Sequence, residues 1–200
     1  FAVLQKAVED IGKLSGAVLN FSQLSSRYPA LLSGELPNIF NRELCAGALM
    51  DIGVYDVYLA LALFGVPERV EASAHFLPGG ADGSGGATFV YPWGNCQMNW
   101  SKTGQSRAAS EIVGDRGTVT FSPVSRILNI RLWKNDGKSE LLFDEEPHCA
   151  SLGHEAADFA RYILDREESA GEYARMVQLT RDGIRLMEQI RAKSGIRFDV

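Results

Sequence analysis

The 200-residue sequence has little of what marks several common functional classes. Its three cysteines form no CxxC pair, and its three histidines lie far apart in the chain. These six residues are Cys45, Cys96, Cys149, His75, His148 and His154. Such spacings are untypical of a zinc or iron site, so we expect no metal site. The same cysteine usage is typical of reduced core thiols in a cytoplasmic protein.

Positive charge is also scarce, with 20 Lys and Arg against 25 Asp and Glu and a formal net charge of -5. Because the basic residues are dispersed, we expect neither a nucleic-acid partner nor an anionic membrane surface. No run approaches the roughly 18 apolar residues of a membrane span, and no signal peptide is visible. The chain opens directly on an apolar-periodic segment without Met or a capping residue, which predicts that it was cut from a longer protein.

Motifs for nucleotides and for nucleophilic catalysis are missing. The glycine-rich segment Gly79–Gly86 lies between two predicted strands and lacks the following helix that would offer amide donors to a phosphate. We therefore predict a flexible hairpin tip there. No GxSxG elbow is present, and nothing else indicates a nucleophilic triad.

Hydrophobic periodicity, in contrast, is clear along most of the chain. Helical spacing at the start, a long loop over 25–46 and a helix ending near Phe64 precede a series of short alternating segments. Two helical segments follow in the last quarter. This order predicts one α+β domain over 1–200, with an open, mainly antiparallel sheet and helices packed on one face.

The other sheet face is predicted to be polar. Its residues are Gln97, Asn99, Arg107, Glu111, Arg131 and an exposed Trp133. Such a face could meet the same face of a second copy in a two-fold interface, or it could simply contact water. The sequence therefore predicts a homodimer or higher homo-oligomer as one of two alternatives.

Asp51 and Tyr55 are the best clue to chemistry. They lie four residues apart in the segment GALMDIGVYDV, so a helix would project both from one face. The surrounding apolar stripe is predicted at Met50, Val54, Val57, Leu61 and Phe64. The pair would have a function if both groups face a cleft. The alternatives are a core tyrosine with a satisfied hydroxyl and an aspartate that caps the helix.

The segment Gly47–Tyr55 resembles the helix signature of the glucose-fructose oxidoreductase/inositol dehydrogenase (Gfo/Idh/MocA) family, in which a small-residue run precedes Asp-x-Gly-x-His or Tyr. The segments SSRY and PNIFN within the 25–46 loop resemble the active-site loop of its dihydrodiol dehydrogenase-like branch. The later EIVGDRGTV pattern and the closing helices are similar to the C-terminal domain of this family, so the resemblance covers essentially the whole chain.

The resemblance implies that an N-terminal Rossmann domain, absent from this chain, binds NAD or NADP and carries a catalytic Lys. It also implies that Tyr55 acts as acid/base and that Asp51 orients the substrate or that Lys. Arg27, Tyr28 and Asn38 would recognise hydroxyl or carboxylate groups of a sugar, polyol or diol, unless they are turn formers. The alternative is a scaffold that binds a sugar-like ligand or a protein without redox chemistry. On either reading, the residues that bind a cofactor are not identified in this chain.

Overall fold

The computed structural model describes residues 1–144 and 152–198, and its strands form one open sheet. The strands are β1 (Leu14–Ser22), β2 (Arg69–Phe76), β3 (Asp82–Tyr91), β4 (Gly94–Ser101), β5 (Ser110–Gly114), β6 (Gly117–Phe121), β7 (Ile130–Lys134) and β8 (Ser139–Phe143). The helices are α1 (Ala2–Asp10), α2 (Tyr28–Leu32), α3 (Val54–Phe64), α4 (Gly153–Leu164) and α5 (Arg166–Ser194). Short helical turns occupy Asn38–Phe40 and Arg42–Leu44, and a π-helical turn, Leu49–Gly53, leads into α3.

The first strand lies at the centre of the sheet, whose order is β2-β3-β4-β1-β5-β6-β7-β8. It joins two antiparallel meanders, because it runs parallel to β4 and antiparallel to β5. Every other pairing is antiparallel. The two parallel strands therefore end at the same edge of the sheet, with Ser22 beside Ser101.

Alternation along the strands places one set of side chains in the core. Leu19, Phe89, Met98 and Trp100 are buried, and they pack against the helices on that face. This arrangement confirms the predicted α+β class, with a mainly antiparallel sheet and helices on one side.

The helix α3 ends at Gly65, whose φ of 75° is favourable for glycine. The hydroxyl of Tyr91 donates to the carbonyl of Gly65 over 3.1 Å. Helix α5 covers α3 and β2, and Gly183 in α5 lies directly over the ring of Tyr58 in α3. A glycine there allows the two helices to approach closely.

The opposite sheet face is uncovered within the part of the chain that the structure describes. A single cross-strand row runs over seven strands through Glu71, Thr88, Gln97, Val18, Glu111, Thr120 and Arg131. Gln97, Asn99, Glu111 and Trp133 are exposed, as predicted, whereas Arg131 is half-buried. Arg107 was predicted on this face but lies before β5 in a non-strand segment.

The glycine-rich segment forms the predicted hairpin tip only in part, since Gly79 and Gly80 lie in the turn between β2 and β3. Residues from Asp82 onward belong to β3, and Gly85 lies against Trp100. A Cβ at Gly85 would be 2.5 Å from the indole and 2.7 Å from the carbonyl oxygen of Ser73. The glycine is needed for close packing within the sheet rather than for flexibility alone.

One helical stretch, Arg42–Phe64, is long and apolar enough to cross a membrane by length and composition, although the sequence predicted no such run. Of its most apolar window, 56% is buried inside the domain. A buried core helix passes the same test, and this stretch packs on the sheet through Leu49 and Val57.

The final two helices confirm the predicted helical ending, but α4 is largely exposed. Its apolar residues Phe159, Ile163 and Leu164 remain accessible, while Leu186 and Ile190 of α5 are buried. The predictions for His148 and Cys149 concern residues outside those that the structure describes. Cys45 and Cys96 are both free thiols.

Candidate active site

Asp51 and Tyr55 lie on the exposed side of the helix that covers the central strands. Asp51 belongs to the π-helical turn, and Tyr55 lies in the first turn of α3. The Tyr55 residue is 46% exposed, and the side chain of Asp51 is 44% exposed. The structure therefore rules out the alternative in which Tyr55 is a core residue.

Asp82 at the start of β3 holds the beginning of this helix. One of its carboxylate oxygens accepts hydrogen bonds from the amide of Leu49 over 2.7 Å and from the indole of Trp100 over 3.2 Å. Because Asp82 is fully buried, desolvation raises its pKa, and these two hydrogen bonds oppose that rise. A carboxylate from a distant strand thus satisfies an amide that the helix itself leaves free.

Two glycines allow this helix start to approach the sheet. Gly47 has a φ of 155°, and a Cβ there would lie 2.0 Å from the second carboxylate oxygen of Asp82. A Cβ at Gly53 would lie 3.1 Å from the ring of Trp100. The small residues of the Gly47–Tyr55 segment thus bring Asp51 and Tyr55 close to the end of β4.

The Tyr55 ring is positioned by the last part of β1. Phe21 meets it edge to face, with ring centroids 5.4 Å apart and an angle of 76° between the planes. This contact restricts the ring but leaves the residue accessible. The phenol is therefore available to a ligand near the carboxyl ends of the central strands β1 and β4.

Lys102, the residue that follows β4, forms an ion pair and hydrogen bond with the carboxylate of Asp51. The residue is 9% exposed, although Lys is among the residue types least often buried. Its amide donates to the carbonyl of Gly83 over 2.8 Å, and its carbonyl accepts from the amide of Ser25 over 2.9 Å. The backbone is thus held on both sides.

Sequence reasoning missed Lys102, because the one lysine it considered for the site was the catalytic Lys that the resemblance implies in an N-terminal domain. A usable signal was present, because Cys96, Met98 and Trp100 form the inward-facing series of β4 and Lys102 continues that period of two. A lysine at a core-facing position requires a partner. Its partner, 51 positions away in sequence, could not be identified from local pattern.

The predicted loop residues occupy a neighbouring position. Arg27 and Asn38 line the same surface pocket of about 430 Å³, and the ring of Tyr28 packs against buried Phe40 with centroids 6.3 Å apart. Within residues 1–144 and 152–198, none of the three forms a hydrogen bond or ion pair with Asp51 or Tyr55. Their link to the pair is indirect, since the loop residue Ser25 bonds to Lys102.

The second aspartate of this helix, Asp56, points the opposite way, into the core. It is fully buried, and neither of its oxygens has a hydrogen-bond partner among the described residues. Burial raises the pKa of Asp56 well above its usual range. The pKa of Cys96 is raised to about 12, mainly by burial and to a smaller extent by the nearby Asp56. This thiol is therefore protonated and unreactive at neutral pH.

The described residues include no group of three or more His, Cys, Asp or Glu side chains that could hold a metal ion. What the site offers is an accessible phenol and a carboxylate fixed by an ammonium group. A phenol can exchange a proton with a substrate hydroxyl, and a fixed carboxylate can accept hydrogen bonds from neighbouring hydroxyls.

Comparison with known proteins shows which family this domain belongs to. Residues 4–120 match the GFO/IDH/MocA C-terminal domain. The chain is 34% identical over 198 residues to scyllo-inositol 2-dehydrogenase (NADP(+)) IolU from Bacillus subtilis, covering 99% of this chain and 60% of that protein. It therefore spans about 60% of the length of the curated relatives it matches.

Solved structures share the fold at low sequence identity. The aldose-aldose oxidoreductase from Caulobacter crescentus complexed with glycerol has a TM-score of 0.71 at 17% identity, covering 96% of this chain and 57% of that one. A levoglucosan dehydrogenase in complex with NADH and levoglucosan has a TM-score of 0.66 at 18% identity, covering 82% and 53%. On the match over residues 4–120, the chain belongs to the GFO/IDH/MocA family of oxidoreductases, whose C-terminal domain it contains.

Proposed function

We propose that this chain is the substrate-binding and oligomerisation domain of an NAD(P)-dependent oxidoreductase that acts on a CH-OH group of a sugar, polyol or diol. The observation that carries the proposal is the exposed helix face that presents the Tyr55 phenol together with the Asp51 carboxylate, itself paired with Lys102. Accessible groups of this kind beside a fixed ion pair suit proton transfer to and from a hydroxyl.

The substrate class is supported by what the relatives act on or bind. The IolU protein is a scyllo-inositol 2-dehydrogenase that uses NADP(+), and the levoglucosan dehydrogenase was solved with NADH and its sugar-derived ligand. Both names describe polyhydroxylated ring compounds. A site with one proton-transfer group and several hydrogen-bonding side chains is suited to such ligands.

The residues of this chain fit the proton-transfer half of the reaction. Tyr55 would take the proton of the substrate hydroxyl while the attached carbon is oxidised, and it would return a proton in the reverse direction. Asp51 would accept a hydrogen bond from the reacting or an adjacent hydroxyl and thereby orient it. A cation close to the bound substrate would stabilise negative charge on the phenol oxygen during this transfer.

A nicotinamide cofactor would supply the hydride acceptor when bound. The glycine-rich segment of this chain does not form a phosphate cradle for it, because that segment runs into strand β3 rather than into a helix. We therefore place the dinucleotide on an N-terminal Rossmann domain of the same protein, with the site at the boundary between the domains. We also propose a cytoplasmic location, which suits the two free thiols.

The oligomerisation role would belong to the outer sheet face. The cross-strand row on this face includes the negatively charged Glu71 and Glu111 and the positively charged Arg131. A second copy related by a two-fold axis could set these charges opposite each other while covering the exposed ring of Trp133.

The decisive experiment compares Tyr55→Phe with wild type in the protein that includes the proposed N-terminal domain, over a panel of inositols, aldoses and diols with NAD and NADP. We expect kcat/KM for the preferred substrate to fall about 10²- to 10⁴-fold, because the phenol oxygen that exchanges the proton is lost while the ring contact with Phe21 is kept. Tyr58→Phe on the same helix is the matched control, since Tyr58 packs on α5.

Two results would contradict the proposal in different ways. A Tyr55→Phe variant within a few-fold of wild type would remove Tyr55 from catalysis. A wild-type protein that binds a sugar on the panel but oxidises none of them with either cofactor would favour the non-catalytic scaffold.

A further inference from the structure

We infer that Lys102 is a positioning residue for the proposed reaction. It holds the Asp51 carboxylate in one orientation on the face that also carries Tyr55, so that Asp51 can direct a substrate hydroxyl. This inference rests on the proposed function of the Asp51 and Tyr55 face.

The first support is the way the lysine is fixed. Its residue is buried at the end of β4, and backbone hydrogen bonds join it to the start of β3 through Gly83 and to the loop after β1 through Ser25. The backbone position of Lys102 is therefore fixed by β4, by the start of β3 and by the loop after β1. A long flexible side chain becomes an effective positioning group only when most of its freedom has been removed in advance.

The second support is the asymmetry of the ion pair. The Lys102 side chain is 11% exposed, whereas that of Asp51 is 44% exposed. The carboxylate could otherwise rotate towards water, so the buried ammonium determines its orientation. Asp82, the other carboxylate at this end of the helix, uses one oxygen for Leu49 and Trp100. Asp51 is thus the carboxylate that compensates the charge of Lys102.

The ion pair of Lys138 differs from that of Lys102 in being exposed to solvent. Lys138 and Asp136 meet at 2.7 Å in the turn between β7 and β8, and the lysine side chain is 81% exposed. Exposed pairs of this kind contribute little to stability. Lys138 therefore provides a matched control, because it is a paired lysine at the other end of the sheet from β3 and β4.

The test is a double-mutant cycle on kcat/KM in the protein that includes the proposed N-terminal domain. It uses Lys102→Met, Asp51→Asn and the double variant, with Lys138→Met as control. We expect Lys102→Met to lower kcat/KM about 10- to 100-fold, since a misplaced positioning group costs a factor of this order. In the Asp51→Asn background the same change should alter kcat/KM by less than about three-fold, because Lys102 acts through Asp51.

A purely structural lysine would give a different pattern. Lys102→Met would then lower the unfolding temperature and reduce activity by the same factor in both backgrounds, which would overturn the inference. An unchanged kcat/KM in Lys102→Met would overturn it as well. If Lys102→Met does not fold, Lys102→Gln takes its place in the same cycle.

The inference and the proposed function fail in distinguishable ways. An active wild-type enzyme in which Lys102→Met behaves like Lys138→Met leaves the proposed function intact and removes only the role of Lys102. A wild-type protein inactive over the whole sugar and diol panel removes the proposed function, and the role of Lys102 in it.

Discussion

The indole of Trp100 donates a hydrogen bond to Asp82 over 3.2 Å, on the same oxygen that accepts from the amide of Leu49. One buried carboxylate thereby connects β3, β4 and the start of the helix that carries Asp51 and Tyr55. The positions of the two polar groups depend on this connection, since the helix begins where Asp82 can reach its amides.

Gly47→Ala should disturb that connection. The added Cβ would lie 2.0 Å from Asp82, and Gly47 has a φ that side chains other than glycine rarely adopt. We expect a loss of about 1–3 kcal/mol in the free energy of unfolding, measured by urea denaturation. Gly34→Ala is the matched control, because Gly34 also has a positive φ of 95° but no atom within 4 Å of an added Cβ. Equal losses in the two variants would mean that the contact with Asp82 contributes nothing.

Two glycines of α5 should respond in opposite directions to the same substitution. A Cβ at Gly183 would lie 2.8 Å from the ring of Tyr58, whereas Gly171 has nothing within 4 Å. Gly183→Ala should lower the free energy of unfolding by about 1–3 kcal/mol through overpacking. Gly171→Ala should raise it by about 0.5–1 kcal/mol, because alanine favours the helix. Thermal unfolding of both variants checks the prediction, and stabilisation by Gly183→Ala would show that α5 does not pack on α3 at this point.

Asp56 should make the stability of the domain depend on pH. Burial raises its pKa in the folded state, so the folded protein binds its proton more tightly than the unfolded chain does. Its contribution to stability is therefore greatest at acid pH and falls as pH rises from the unfolded pKa towards the raised one. Asp56→Asn cannot ionise and escapes this loss.

The measurement is the free energy of unfolding of Asp56→Asn relative to wild type between about pH 5 and about pH 8, below the range in which thiols of the unfolded chain ionise. We expect the free energy of unfolding of Asp56→Asn to increase relative to that of wild type by at least about 1 kcal/mol as pH rises over this range. Asp10→Asn on the exposed side of α1 should show no such trend. Parallel pH curves for Asp56→Asn and wild type would contradict the assignment.

The outer sheet face can be tested through the oligomeric state. Gln97 lies near the middle of the exposed row, between Thr88 and Val18. If two copies meet through this face, Gln97→Glu should bury one added negative charge per copy in the interface, with Val18 between it and Glu111, and weaken the dimer about ten-fold or more. Sedimentation velocity over a concentration series would measure this change. Gln5→Glu on α1 is the control, and equal dissociation constants would place the interface elsewhere.

Much of the fold followed from local pattern. The alternation of Cys96, Met98 and Trp100 predicted a strand with one buried side, and Gly65 correctly marked the end of the helix. The predicted stripe was less accurate at Met50, which is exposed. Met50 lies in the π-helical turn, whose wider winding departs from the 3.6-residue period on which the stripe was based.

The sequence by itself determined the composition of the sheet, its buried and exposed sides, and the nearness of Asp51 to Tyr55, because each depends on residues a few positions apart. Only the tertiary structure showed that β1 lies between β4 and β5. It also showed that Lys102 pairs with Asp51 and that the amide of Leu49 donates to Asp82. Periodicity reports which side of a segment avoids water, and it carries no information on which distant segment will pair with it. Long-range strand pairing therefore places the ammonium group of Lys102, at the end of β4, next to the Asp51 carboxylate on the helix.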